Sequence, residues 1–418
     1  MVNNSNNTNH KKVLILSYYA CMPGACQAEW LDDKVDSLVK AGFSVALISA
    51  ACAQRHPDNN VKHWRIASIS LKDFQDELQR IRARGDKVRM RDYAMLPLTL
   101  TAGLALDAIQ FLLTKGVGEG RWSWAISSTF ASLLLSLHFK PHVILSTGGP
   151  ASAHLSGIAI SKLFNIPLIV ELQDPLSGND IGRNAQARGW LYKVEQLIID
   201  SADKVAYVTN AAASFAANQF RSGKVIGIYP GAQDFGIKRN AVNRCKDGKF
   251  KIVHLGSLYA NRNFRSIIAA IDALIVSNHL SKNDIELINL GHVAPNIRDE
   301  IIQKEYVKIL PPVSRKEALQ FAADCDGTLL IQNSDERSRV TIPYKTYDYL
   351  NIGTPILALL NSDELSQLIN ESGHIALPLS DVDSIRQHLW RMIDSKLGTG
   401  GGEMRIDAVQ QAVLLMQI

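Results

Sequence analysis

Short, nearly continuous runs of β-branched and aliphatic residues recur along the chain, separated by stretches with helical periodicity. In the first half they are KVLILS (12–17), SVALIS (44–49), HVILS (142–146), PLIVE (167–171), KVAYVT (204–209) and KVIGIY (224–229). In the second half they are KIVHL (251–255), IELINL (285–290), YVKIL (306–310), GTLLI (327–331), PILALL (355–360) and HIALP (374–378). A strand that is apolar at nearly every position has no solvent face and must be covered on both sides, and alternation with helices supplies that cover. The expected fold class is therefore α/β, with two Rossmann-like, doubly wound parallel sheets facing each other across a central cleft. A length of 418 residues is too great for one ordinary core. The break falls in the polar stretch PGAQDFGIKRNAVNRCKDGKF (230–250), which carries Pro230, Gly231 and Gly236 and reads as a linker near 232–248. The two units expected are 1–232 and 248–380. Neither first strand is followed by GxGxxG: the turns read SYYACMPGA and HLGSLYANRN, which argues against a nicotinamide or flavin dinucleotide.

A hydrophobic content of 46% and a charged content of 20% are those of a folded globular protein. The net charge of +5 mildly favours anionic ligands or membrane surfaces and is too small to argue for nucleic acid. The five cysteines are scattered without metal-site spacing, which fits a reduced, cytoplasmic protein. HKKVLILSYYAC has the layout of a short signal peptide, but its apolar run is only about eight residues and a βα turn follows at once, so it reads as a first parallel strand.

Residues 60–140 depart from the alternation and read as a helical insertion. RIRARGDKVRMR (80–91) holds six Lys or Arg in twelve positions, and DYAMLPLTLTAGLALDAIQFLLTKG (92–116) is largely apolar. Pro97, Gly103, Asp107 and Gln110 interrupt it as a transmembrane helix. Two readings stay open: a helical pair with its apolar face buried on the first unit, or a basic and apolar patch resting on an anionic membrane surface.

The stretch VTIPYKTYDYLNIGTPILALL (340–360) frames a short helix between Pro343, suited to a first helical position, and Gly353, suited to the left-handed stop. The free N–H groups of its first turn, with Lys345, would make an anion site. Lys345 and Asp348 are three apart and share a face, so they could hold a phosphate and a sugar hydroxyl of one ligand, or simply pair with each other.

Taken together, these segments resemble GT-B glycosyltransferases, in particular the retaining family 4 and its relatives of bacterial surface polysaccharide synthesis. HVILSTGGPASAHLSGIAISKLFNIPLIVELQDPLSGN resembles that family's strand, small-residue loop, helix, strand and DPW-like turn, with Leu176 in place of Trp. LIIDSADKVAYVT resembles the close of the acceptor domain, HLGSLYANRNFRSIIAAIDAL the opening of the donor domain, and IPYKTYDYLNIGTPILAL the donor signature. The resemblance implies that the helices of 381–418 cross back to the first unit. It implies that the loop after Gly256 holds the nucleoside diphosphate through Arg262, with Ser257 where many relatives have a second Arg. It implies a donor site of Gly256, Arg262, Pro343, Lys345 and Asp348, the last on the ribose. The family's first acidic position falls on Val340, which cannot act, so Glu336 or Asp335 would have to replace it. On the acceptor side Asp174 and His154 are the catalytic candidates, Asp174 preferred. Gly24, Gly148 and Gly149 would let backbone approach the sugars.

The function expected is transfer of a sugar from a nucleoside diphosphate sugar to an acceptor hydroxyl on a surface saccharide or lipid-linked intermediate. No Asp-x-Asp clamp is present, so neither a metal nor another cofactor is expected. The alternatives are a nucleotide-sugar 2-epimerase and a non-catalytic nucleotide-sugar-binding subunit.

Overall fold

The computed structural model describes residues 11–114, 121–178, 184–239, 248–394 and 406–417. The chain forms two compact units: residues 1–230 with 408–418, and residues 231–407. The second half of the expected linker, 240–247, lies outside the described residues.

The first unit holds a seven-stranded parallel sheet. Its strands are β1 (Lys12–Leu16), β2 (Ser44–Ala50), β3 (Lys62–Ile66), β4 (Val143–Thr147), β5 (Leu168–Leu172), β6 (Lys204–Tyr207) and β7 (Val225–Gly227), in the order β3-β2-β1-β4-β5-β6-β7. In register, Val13 stands between Val45 and Val143, and Ile15 between Leu47 and Leu145. The order reverses at β1, so the loops after β1 and β4 diverge at the carboxyl edge, the usual ligand-binding place in such a sheet. Helix α1 (Cys26–Lys40) buries Leu31, Val35 and Leu38 on one face, beside the buried Ala412 and Leu415 of the last helix.

Three further helices belong to the insertion: α2 (Leu71–Ala83), α3 (Leu96–Thr114) and α4 (Trp124–Phe139). Strand β3 lies inside that expected insertion. Its sequence KHWRI is polar because it is an edge strand, paired on one side only. Helices α5 (Ala151–Phe164), α6 (Ala185–Ser201) and α7 (Asn210–Phe220) complete the crossovers.

The second unit repeats the design with six parallel strands: β8 (Phe250–Leu255), β9 (Ile285–Leu290), β10 (Val307–Leu310), β11 (Gly327–Ile331), β12 (Ile356–Leu360) and β13 (Ile375–Pro378), ordered β10-β9-β8-β11-β12-β13. The connecting helices are α8 (Arg265–Val276), α9 (Pro295–Ile301), α10 (Arg315–Ala323), α11 (Lys345–Ile352), α12 (Asp363–Glu371) and α13 (Val382–Asp394). Ile252, Leu287, Leu329 and Leu357 from four neighbouring strands form the centre of its core with Ile267 and Ile271 of α8.

Helix α13 stays with this unit, packed on α8 with Ile385 and Leu389 fully buried, although 381–418 was expected to cross back as a whole. The piece that joins the first unit is α14 (Ala408–Leu415), seated on α1. Lys204 at the start of β6 donates to the carbonyls of Leu414 and Leu415, 3.2 Å each, satisfying the open end of α14 with a cation.

Candidate functional site

In the second unit the site candidates gather at the carboxyl edge of β8. The strand ends in His254 and Leu255 and turns at Gly256, whose φ is +105°. The loop after β9 packs directly on this turn. A Cβ on Gly291 would lie 2.5 Å from the Gly256 carbonyl oxygen, and its φ is +142°, so only glycine fits there.

The side chains beneath the turn form one polar line. Asn289 Nδ2 donates to the Gly291 carbonyl at 3.1 Å, which leaves its Oδ1 facing His254 Nδ1 at 2.8 Å. An amide oxygen can only accept, so Nδ1 carries the proton and Nε2 holds a lone pair. That lone pair lies 2.6 Å from Lys345 Nζ, which also donates to the Leu255 carbonyl at 2.9 Å. His254 is fully buried. Burial, with the charges of Lys345 and Arg262 nearby, holds its pKa well below the ordinary histidine value, so it is the neutral acceptor the line requires. Tyr349 of α11 fastens the same strand end, its hydroxyl accepting from Leu255 N at 2.9 Å.

Arg262 lies in the loop that follows. Its guanidinium sits 5.2 Å from the Tyr259 ring, and its buried Nε has no hydrogen-bond acceptor. An orphaned guanidinium nitrogen beside a second cation is costly unless an anion arrives to satisfy it.

The helix carrying Lys345 departs from expectation in two respects. Pro343 precedes it rather than opening it, and the N-cap is Tyr344. The first turn is also tight: Thr346 N donates to Pro343 O at 2.9 Å and Tyr347 N to Tyr344 O at 3.1 Å. Those two amides are spent inside the turn, so the anion site expected from free N–H groups reduces largely to the two cations.

Asp348, three residues on, has its own partner on another helix. Asp348 is buried against Arg315, with Nη2–Oδ1 at 2.6 Å and Nε–Oδ2 at 3.2 Å. Arg315 opens α10 behind a Ser314–Glu317 capping box, and its guanidinium stacks 5.0 Å from the Tyr344 ring and 5.2 Å from the Phe235 ring. The two-point geometry fixes the orientation of the carboxylate. Arg315 and His254 are the site residues that sequence reasoning missed. Of the two suggested replacements for Val340, Asp335 caps the turn Arg337–Val340 by accepting from Ser338 N at 2.8 Å and Oγ at 2.7 Å, while Glu336 is exposed.

In the first unit the candidates surround the carboxyl ends of β1, β4 and β5. Gly24 lies exposed in the turn before α1, with φ +79°. Gly148, φ +120°, and Gly149 follow β4, and Asp174 lies two residues beyond β5, half-buried. His154 is corrected: it is fully buried, its Nε2 meets the Gly148 carbonyl at 3.2 Å, and its Nδ1 meets Ser146 Oγ at 3.0 Å. Burial pushes its pKa down to about 4. A neutral ring engaged at both nitrogens positions the Gly148 loop and does not reach a substrate. Beside that loop, Gln27 Oε1 and Gln173 Oε1 are buried acceptors without donors, which sequence reasoning also passed over. Deeper in the sheet, Lys34 and Thr147 both hold Glu171, the hydroxyl at 2.5 Å.

This architecture is the GT-B fold. Over 97% of its length the chain is similar to sucrose-phosphate synthase from Thermosynechococcus elongatus (11% identity, 95% of that chain, TM-score 0.64). It is also similar to HepE from Anabaena in complex with UDP-glucose (13% identity, 97% and 98% covered, TM-score 0.60). The same fold is shared by a UDP-N-acetylglucosamine 2-epimerase structure from Listeria monocytogenes (10% identity, 97% and 95% covered, TM-score 0.50). No protein-family model and no curated protein sequence matches the chain.

Proposed function

We propose that the chain is a nucleotide-sugar-dependent glycosyltransferase. It moves a sugar from a nucleoside diphosphate sugar to an acceptor hydroxyl of a surface saccharide or lipid-linked intermediate, in the cytoplasm at the inner face of the cell membrane. The observation that carries this reading is the buried Arg262 Nε without an acceptor, next to the Lys345–His254 pair at the end of β8. Solved structures of the same fold hold UDP or UDP-glucose, and others are described as UDP-forming synthases.

In the reaction the acceptor oxygen bonds to the anomeric carbon as the bond from that carbon to the phosphate oxygen breaks, and the hydroxyl proton passes to the departing phosphate and from there to water. The nucleoside diphosphate leaves with the electron pair and one more negative charge. Fixed cations shielded from water stabilise that charge more than mobile solvent does. Arg262 and Lys345 supply it here in place of a metal ion. His254 keeps Lys345 aimed without competing as a cation, and Asp348, set by Arg315, accepts from the ribose hydroxyls. On the acceptor side Asp174 orients the attacking hydroxyl, and Gln27 and Gln173 offer amide oxygens to other hydroxyls. Retention at the anomeric carbon is what the family resemblance implies.

A thermal-shift screen over nucleoside diphosphates tests the reading. A ligand present at a hundredfold over its dissociation constant stabilises by about 2.7 kcal/mol. One diphosphate raising Tm, followed by slow hydrolysis of the matching sugar donor without acceptor, supports transfer. Conversion of the donor to its 2-epimer, or no stabilisation by any diphosphate, refutes it.

A further inference from the structure

Helix α3 is built inside out. Of the residues that interrupt its apolar run Pro97 is exposed, but Gly103, Asp107 and Gln110, together with Thr99, fall at spacings of four, four and three and turn toward the protein. Gly103 lies so close to the chain before α2 that a Cβ would stand 3.1 Å from Ile69 O and Leu71 N. Asp107 accepts from Lys72 N at 3.1 Å, and Gln110 from Trp122 N at 3.2 Å. The leucines face outward: Leu100 is 72% exposed, Leu104 70% and Leu112 69%, with Leu98, Ile109 and Phe111 also exposed. The reading in which this apolar face is buried on the first unit is therefore corrected.

Helix α4, tied to α3 through Trp122 and Gln110, repeats the inversion. Ser127, Ser128, Ser132 and Ser136 are buried, and Ser128 bonds Ser156 at 2.6 Å. Ile126, Phe130, Leu134 and Leu137 line the exposed side. Two successive helices, linked where Gln110 accepts from Trp122 N, bury hydroxyls and present leucine and phenylalanine to solvent, and such exposed apolar stripes call for an apolar partner.

Charge selects the partner. The segment leading into α3 exposes Arg80, Arg82, Lys87 and Arg89, and among the described residues none of these side chains has a carboxylate partner. Arg84 pairs locally, with Asp86 at 3.1 Å. A second copy of the chain would bring an identical basic rim to the contact, like charge against like. A bilayer with anionic headgroups satisfies both features, acyl chains taking the leucines and headgroups the arginines. By length and composition α3 could cross a membrane. Its polar side is bonded to the protein, however, so one side only is available to lipid.

We propose that α3, the exposed stripe of α4 and the basic segment 80–89 form a docking surface that lies in the headgroup plane of an anionic membrane. The inference stands on the inverted helices and holds whether or not the second unit binds a sugar nucleotide.

The test is co-sedimentation of the full chain with vesicles of phosphatidylcholine alone, or with about a third phosphatidylglycerol. Two variants accompany it, Leu104→Asp with Leu112→Asp, and Arg80→Gln with Arg82→Gln, Lys87→Gln and Arg89→Gln. All of these side chains are exposed, so circular dichroism and Tm should match the wild type. The wild type is expected to prefer the anionic vesicles, and each variant to lose at least about tenfold in partitioning, the charge variant becoming insensitive to salt. Wild-type binding that is absent, or equal on both vesicle types, overturns the proposal. So does a wild-type dimer that Leu104→Asp splits while vesicles capture nothing.

Discussion

Lys345 Nζ stands 2.6 Å from Nε2 of His254, a residue 91 positions earlier in the chain, and Asp348 on the next turn of the same helix turns instead to Arg315. The two residues that share a face in sequence thus each bond a partner on a different element. Each keeps one orientation, Lys345 over the end of β8 and Asp348 over the start of α10.

The Asn289–His254–Lys345 line makes His254 a positioning residue. His254→Ala should weaken nucleoside diphosphate binding, by about tenfold if one hydrogen bond to the ammonium is lost. In a Lys345→Ala background the same change should do little more. Calorimetric titration of the two single variants and the double variant measures the coupling. Fully additive losses would show that His254 acts independently of Lys345.

The Arg315–Asp348 pair should show the asymmetry of buried ion pairs. Arg315→Ala removes the guanidinium from a buried carboxylate and should cost on the order of 3 kcal/mol in urea unfolding. Replacing both partners by apolar residues, Arg315→Met with Asp348→Leu, should cost less than the single change. A double variant less stable than Arg315→Ala would contradict this.

Glu77 makes a separate prediction about pH. Its carboxylate accepts from Tyr18 Oη at 2.9 Å and from Ser68 Oγ at 2.6 Å, and burial pushes its pKa up to about 7. Between pH 4.5 and 7 the folded protein holds a proton that the unfolded chain has released, so stability falls as pH rises through that window. Glu77→Gln should therefore gain on the order of 1–3 kcal/mol over the wild type at pH 8 and nothing below pH 4. Denaturant melts at both values check it, and a difference independent of pH would contradict it.

How much of this was legible beforehand differs by element. Twelve strands announced themselves because a doubly covered strand is apolar throughout, whereas β3, an edge strand with His63 and Arg65, carries no such mark. Arg262, Lys345 and Asp348 could be placed from local spacing and resemblance. Arg315 could not, since its meaning comes from a partner 33 residues away. His254 did leave a signal, a single imidazole at the carboxyl end of an otherwise apolar strand. In α3 the polar residues looked like flaws in an apolar run, although their helical spacing already described an inward stripe.

The central claim is that Arg262 and Lys345 hold a diphosphate. The most direct measurement is isothermal titration of the nucleoside diphosphate that stabilises the protein best, against the wild type, Arg262→Ala and Lys345→Ala, with the uncharged nucleoside as control. Each substitution removes a charge-assisted contact and should weaken the diphosphate by about 1.5–3 kcal/mol, while nucleoside binding stays the same within about twofold. If both variants fold as the wild type does and bind the diphosphate with wild-type affinity, the two cations are structural and the donor site is not at the end of β8.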